Sequence, residues 1–184
     1  TPARSGYTFS GYSIVDNGDV AYYTNINNVN ELNGKKLYAK WNTITYSISY
    51  NLNGGSISSQ PTNYNIEQTI TLPTPTRNGY TFTGWTGTGV GSATKNVTIS
   101  NGIGDRSYTA NWSKNYYTVN YYVNGNLWTQ RSVGYGDTLE NINAQSVLDI
   151  YHTFNGWDGW INNMPSNNVD LYANITESYC RLVT

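Results

Sequence analysis

Chemistry that breaks or transfers bonds needs a base, a nucleophile or a facing pair of acids, and this sequence is thin in all three. A triad hydrolase places a base and an orienting acid beside a nucleophile. The sole histidine, His152, stands where two sister segments carry Tyr7 and Tyr80, so it reads as an aromatic-sized replacement within a strand. Glycoside chemistry needs two carboxyl groups facing each other across a sugar. The eleven Asp and Glu fall mostly in turns, at places not shared between segments. No catalytic residue and no cofactor is assigned. Asp16-Asn17-Gly18-Asp19 has the oxygen-rich look of a calcium turn but lacks a bidentate Glu at the right spacing. It is read as a plain turn, and no metal site is expected. One cysteine, Cys180, rules out an intramolecular disulfide or a thiolate zinc cluster. It reads as a free thiol in a tail, with an intermolecular bridge as the sharper option. A stiffening Lys–Asn isopeptide bond needs a buried lysine; Lys35, Lys36 and Lys40 occur in one segment only, and none is expected.

The aromatic residues carry more information. Trp85 and Trp157 recur in register, with Tyr12 in the matching place, and Trp41 and Trp112 recur further on. Together with Phe9, Phe82 and Phe154 they are expected to build interiors, since residues held at fixed places in tandem segments serve packing. Trp128 and Trp160 do not recur. Exposed, their flat rings would stack on a sugar or a protein partner.

The recurrence organises the whole chain. Thr1-Pro2-Ala3-Arg4-Ser5-Gly6-Tyr7-Thr8-Phe9 returns as Thr74-Pro75-Thr76-Arg77-Asn78-Gly79-Tyr80-Thr81-Phe82, and in degenerate form as His152-Thr153-Phe154-Asn155-Gly156-Trp157. A closing element reads Leu37-Tyr38-Ala39-Lys40-Trp41, then Tyr108-Thr109-Ala110-Asn111-Trp112, then Leu171-Tyr172-Ala173-Asn174-Ile175. An opening element, Tyr46–Leu52, returns at Tyr117–Val123. The chain is thus expected to hold the rear half of one repeat (1–43), a full repeat (44–114), a second with a shortened rear half (115–176) and a tail (177–184). Beginning inside a repeat, it is expected to be part of a longer protein.

Each repeat, about 70 residues, reads as β-dominated. Tyr46, Ile48, Tyr50 and Leu52 alternate with polar residues, the period of a half-buried strand. Asn53-Gly54 and Asn124-Gly125 accept the positive φ of a hairpin turn, and Leu127–Val133 is the expected returning strand. A short helical turn is expected where Asp137 or Thr138 caps Leu139 and Ile142. Tyr80 and Phe82 take one phase of the next strand and Trp85 the other, which predicts a strand buried on one face and partly covered on the other. The class is therefore α+β with strands dominant, in modules whose small cores depend on dense aromatic packing.

Charged residues are only 11% and the net charge is -1, so no basic stripe invites nucleic acid. No apolar run is long enough to span a bilayer. The tail shows neither a sorting signal nor a hydrophobic anchor, so attachment is expected elsewhere or by non-covalent contact.

Pro-Thr-Arg-x-Gly-Tyr-Thr-Phe-x-Gly-Trp followed by Ala-x-Trp, with Asn53-Gly54-Gly55 and Met164-Pro165, resembles the Listeria–Bacteroides repeat, the B-repeat of internalin B-type surface proteins. That resemblance implies β-grasp-like modules in tandem on extracellular bacterial proteins, used as stalks, spacers and adhesive surfaces. It carries no catalytic residues. Implied partners are a protein or glycan on a host or neighbouring cell, or another copy of the chain. A carbohydrate-binding module using exposed aromatics, or a subunit of a virion or filament, is the alternative.

Overall fold

Alternating side chains, many β-branched and aromatic residues and Asn-Gly turns leave this chain little but strand to form. A computed structural model describes residues 2–16 and 32–177. Its residues group into two units, Thr1–Pro75 with Thr83–Asn111, and Thr76–Phe82 with Trp112–Thr184. The incomplete first copy of the repeat thus shares a unit with most of the second.

In the first unit β1 (Tyr7–Ser13) pairs antiparallel with β2 (Tyr38–Thr43). Next come β3 (Tyr46–Asn51), β4 (Asn63–Tyr64), β5 (Ile70–Thr71), β6 (Tyr80–Gly87), β7 (Val90–Thr94), β8 (Thr98–Ile99) and β9 (Arg106–Lys114). A five-stranded sheet has the order β4-β3-β9-β6-β7, and β5 and β8 form a separate ribbon. The central pair, β3 and β9, is parallel. Ile48, Tyr64, Leu72, Trp85, Ile99 and Tyr108 are buried.

In the second unit β10 (Tyr116–Val123), β11 (Asn126–Gly134), β12 (His152–Asp158) and β13 (Val169–Glu177) form a sheet of order β11-β10-β13-β12. Its central pair, β10 and β13, is again parallel. A parallel pair cannot be joined by a tight turn, so each opening strand meets its closing strand only after the intervening chain has gone round. Val119, Tyr121, Leu139, Trp157, Met164 and Leu171 belong to the buried cluster.

The turns behave as their residues require. Asn53 and Gly54 have φ of 47° and 82°, Asn124 and Gly125 of 50° and 73°. Val123 pairs with Asn126 across the second of these, a two-residue hairpin of the type positive φ selects. After the first, the chain wanders before β4 bonds only the start of β3, at Tyr46 and Ser47.

One expectation needs correction. No helical turn forms on Leu139 and Ile142. The Leu139 amide donates to the Asn162 carbonyl at 2.9 Å, Met164 donates to Asp137 at 2.9 Å, and Thr138 bridges Asn163. With its backbone groups taken by another segment, the stretch stays extended. Among the described residues helix is almost absent: a 3-10 turn lies later, at Gln145–Val147, its first amide held by the Asn143 side chain. The fold is β-dominated rather than α+β. Strands β1 and β12 depart from simple alternation. The pairing register slips between Phe9 and Gly11 and between Phe154 and Trp157. A bulge adds one residue and turns the following side chain to the opposite face. The two aromatics of each segment therefore share a face, with rings 4.9 Å apart for Phe9–Tyr12 and 5.1 Å for Phe154–Trp157.

Candidate functional site

The aromatic interiors come first, because they fix every surface around them. Phe9 meets Trp41 edge-on at 5.6 Å and Phe82 meets Trp112 at 5.5 Å. In the last copy the register pairs Phe154 with Ile175 at the equivalent place. Tyr50 packs edge-on against Trp85 and Tyr121 against Trp157, at 5.6 and 4.9 Å. The indole N–H of Trp85 donates to the Pro73 carbonyl and that of Trp157 to Ile142. The tyrosine hydroxyls do likewise, Tyr50 to Pro61 and Tyr121 to Glu140. Burial, with Tyr108 adding to it, pushes the Tyr50 phenol up to about 12. A buried polar tip left unbonded is costly, so one ring pair draws in the loop that must cover it. All eight aromatics singled out by recurrence sit in such contacts, Trp85 fully buried and most others half-buried.

The same economy holds at the segment tips. The Arg4 guanidinium lies 3.9 Å over the Tyr7 ring and Arg77 lies 3.7 Å over Tyr80. In the last copy the pair becomes Asp149 and His152, joined at 2.6 Å. The backbone bond beneath each is shared: Tyr7 to Arg4, Tyr80 to Arg77, His152 to Asp149. His152 is thus one half of a turn clasp. Its hydrogen bond holds the Asp149 carboxyl below the usual carboxylate range.

Residues 46–106 match the family described as the Listeria-Bacteroides repeat domain. The chain carries a Listeria–Bacteroides repeat. A provisionally named membrane protein of Evansella cellulosilytica is 27% identical over 183 residues, covering 94% of this chain and 27% of that protein. A provisionally named Gly-rich membrane protein of the same organism is 30% identical over 161 residues, 85% of this chain and 18% of its own length. Internalin H of Listeria monocytogenes is 34% identical over 115 residues, 56% of this chain and 20% of its length. The chain thus spans 18% to 27% of these relatives. Among the described residues no helix is long and apolar enough to cross a membrane.

Within the Listeria–Bacteroides repeat, Asp105 accepts the Ser47 amide at 2.7 Å, clasping β3 to the approach of β9. That bond holds the Asp105 carboxyl below its usual range. At the same place in the last copy Asn168 accepts from the Thr118 amide at 2.9 Å. These clasps escaped the sequence reading because an isolated Asp or Asn in a loop looks like any turn residue.

Trp128 and Trp160 are each half-buried. Both pack against the buried cluster. Trp128 stacks on Trp157 at 6.1 Å and an interplanar angle of 14°, and the Trp160 indole donates to Asn162. A large ring beside a marginal core is worth more inside than out. A cleft of about 290 Å³ beside Trp128 is bordered by Asn124, Leu127 and Val147. Lys35 and Lys36 are exposed and Lys40 is half-buried, so none supplies the buried amine an isopeptide bond needs. Asn17, Gly18, Asp19 and Cys180 lie outside the described residues.

The outward face of the second unit's sheet carries a feature the sequence reading passed over. Tyr122 and Tyr172, opposite one another on β10 and β13, stack at 4.9 Å and 16°. In the same row Leu127 pairs with Tyr122 and Asp158 with Tyr172, so one row crosses all four strands. In the neighbouring row Gln130 donates to Asn120 and Asn120 to Asp170, both at 2.7 Å. Tyr172 is 49% exposed and Leu127 50%.

Proposed function

We propose that this chain is a non-catalytic repeat region of an extracellular bacterial surface protein. It serves as a stalk or spacer and contributes to adhesion. The observation that carries this reading is the reuse of one sheet plan. Opening and closing strands run parallel at the centre with antiparallel strands outside them, and a Tyr–Trp contact seals each interior. The order supports β-grasp-like modules in tandem. The family match and the similarity to internalin H support a surface setting. The one histidine is spent on a turn clasp that replaces an Arg–Tyr pair, which supports a structural use for it.

Antibody against residues 44–177, applied to intact cells of the bacterium that makes the protein, tests the reading. Labelling is expected on unbroken cells and is lost after brief external protease. Labelling only after lysis overturns it.

A further inference from the structure

We propose that the Arg-x-Gly-Tyr tip of a repeat is a docking socket for the repeat that follows, filled by Ile66 at one joint and by Tyr135 at the next. The partner that fits is therefore a repeat of the same kind, with an aliphatic or aromatic side chain at that place. This goes beyond a stalk's role by naming the surface through which one repeat steadies another, and it holds wherever the protein is found.

Each joint lies within one of the two units, and the two joints use equivalent residues. Tyr46 pairs with Tyr64 and Tyr117 with Val133; Ile66 and Tyr135 each stand two residues beyond. Ile66 lies against Gly6, where a Cβ would fall 2.7 Å from its Cδ1. Tyr135 lies against Gly79, where a Cβ would overlap the phenol ring. Beneath each contact the connecting chain bonds the same glycine. The Ile44 amide donates to the Gly6 carbonyl and the Asn115 amide to the Gly79 carbonyl, both at 2.9 Å. Polar groups close the rim. Tyr7 donates its hydroxyl to Glu67 at 2.9 Å, and Asn78 donates to the Tyr135 hydroxyl at 3.0 Å. Tyr80, held under Arg77, meets Tyr135 edge-on at 6.0 Å.

The last copy separates the needs of the turn from those of the joint. Its tip closes with the same backbone bond, His152 to Asp149, yet Tyr151 stands in the glycine's place. Outside glycine, positive φ among the described residues is confined to Asn53, Asn101 and Asn124, so Tyr151 avoids it. A four-residue turn with positive φ at its third position selects glycine there, whereas the commoner type accepts most residues. The tip can thus be closed without glycine. Gly6 and Gly79 have φ of 79° and 73° and are buried, while Tyr151 is 55% exposed. At the first two tips the missing Cβ leaves the space that the next repeat's side chain occupies. Contacts of this sort join neighbours only, so stability passes through them from one repeat to the next.

Hydrogen exchange of the full chain, read at the amides of residues 80–82, tests the joint. Tyr135 belongs neither to the buried cluster of its own copy nor to the side chains packed against it. Tyr135→Ala is therefore expected to leave exchange at Tyr121 and Leu171 in place. At residues 80–82, on the preceding repeat, exchange is expected to rise at least tenfold. Gly79→Ala is expected to raise it as well, since the added Cβ displaces the ring. Together the two changes are expected to act by less than the product of each alone, because the ring that the Cβ would strike is gone. Should Gly79→Ala fail to fold, Tyr135→Ala decides alone. Unchanged exchange at residues 80–82 in a folded Tyr135→Ala protein, or effects that multiply in the double variant, overturns the proposal. Neither result bears on whether the protein lies on the cell surface.

Discussion

The repeat at 44–114 and its successor at 115–177 build the same central pair with different supporting parts. In the first, β3 bonds β4 over two residue pairs and Trp85 is fully buried. In the second, a long hairpin of β10 and β11 runs the length of the strand, and Trp157 keeps 7% of its surface exposed beside the half-buried Trp128 and Phe154. The first copy encloses its sealing ring completely; the second adds a long hairpin and leaves its sealing ring beside half-buried aromatics. A repeat is therefore a constraint on the central strands and the sealing ring, while the rim is free to change.

Substitution of the sealing rings is expected to separate the copies most widely. Removing a buried Trp costs about 3–5 kcal/mol, a large share of what a module of this size has to lose. Trp85→Ala is expected at or above the top of that range and to unfold its copy. Trp157→Ala is expected near the bottom, because Trp128 and Phe154 can close over the space. Urea unfolding followed by hydrogen exchange of each copy would show it. Equal losses would mean that the two interiors are equally rigid.

Two strand glycines sharpen the contrast. Gly84 has φ 143° and a Cβ there would overlap the backbone of Ala93 and Thr94, whereas Gly156 has φ 114° and nothing within 4 Å of that point. Gly156→Ala is expected to cost only the backbone strain, about 1–3 kcal/mol. Gly84→Ala must also displace a strand and is expected to cost more, read as a larger fall in the urea midpoint.

Acid should distinguish the clasps. Asp105 is held below the ordinary carboxylate range by the Ser47 amide. Its contribution is thus complete above the unfolded value, about pH 4, and fades as pH falls through the lower folded value. Asn168, at the same place in the later copy, does not titrate. Asp105→Asn is expected to flatten the acid response of the 44–114 copy, and Asn168→Asp to add one to the 115–177 copy. The later copy keeps a separate acid response from Asp149, which His152 holds low. Melting temperatures between pH 2 and 6, read for each variant against its parent, would reveal both changes.

The smallest effect concerns a polar atom that the later copy lacks. Tyr108 is buried with its hydroxyl beside the Arg106 guanidinium but outside good hydrogen-bonding geometry, while Arg106 donates its Nε to Tyr64 at 2.8 Å. Leu171 fills the equivalent position. Since an unbonded buried hydroxyl is a cost, Tyr108→Phe is expected to be neutral or stabilising by up to about 1 kcal/mol in the same urea assay.

By itself the sequence determined what depends on neighbours along the chain and on repetition. The alternation at Tyr46–Leu52 fixes a strand, Asn124-Gly125 fixes a hairpin, and three copies of one phrase mark which aromatics are packed. These are local properties, legible because each residue's φ preference and phase act within a few positions. Tertiary structure alone decided the rest. The stretch after Asp137 remained extended because residues 162–164 supplied its bonding partners, which no local propensity records. The bulge that puts Phe154 and Trp157 on one face is a matter of pairing register. Trp128 is half-buried and Tyr172 half-exposed because burial is set by what lies across the sheet, and only the fold brings those strands together.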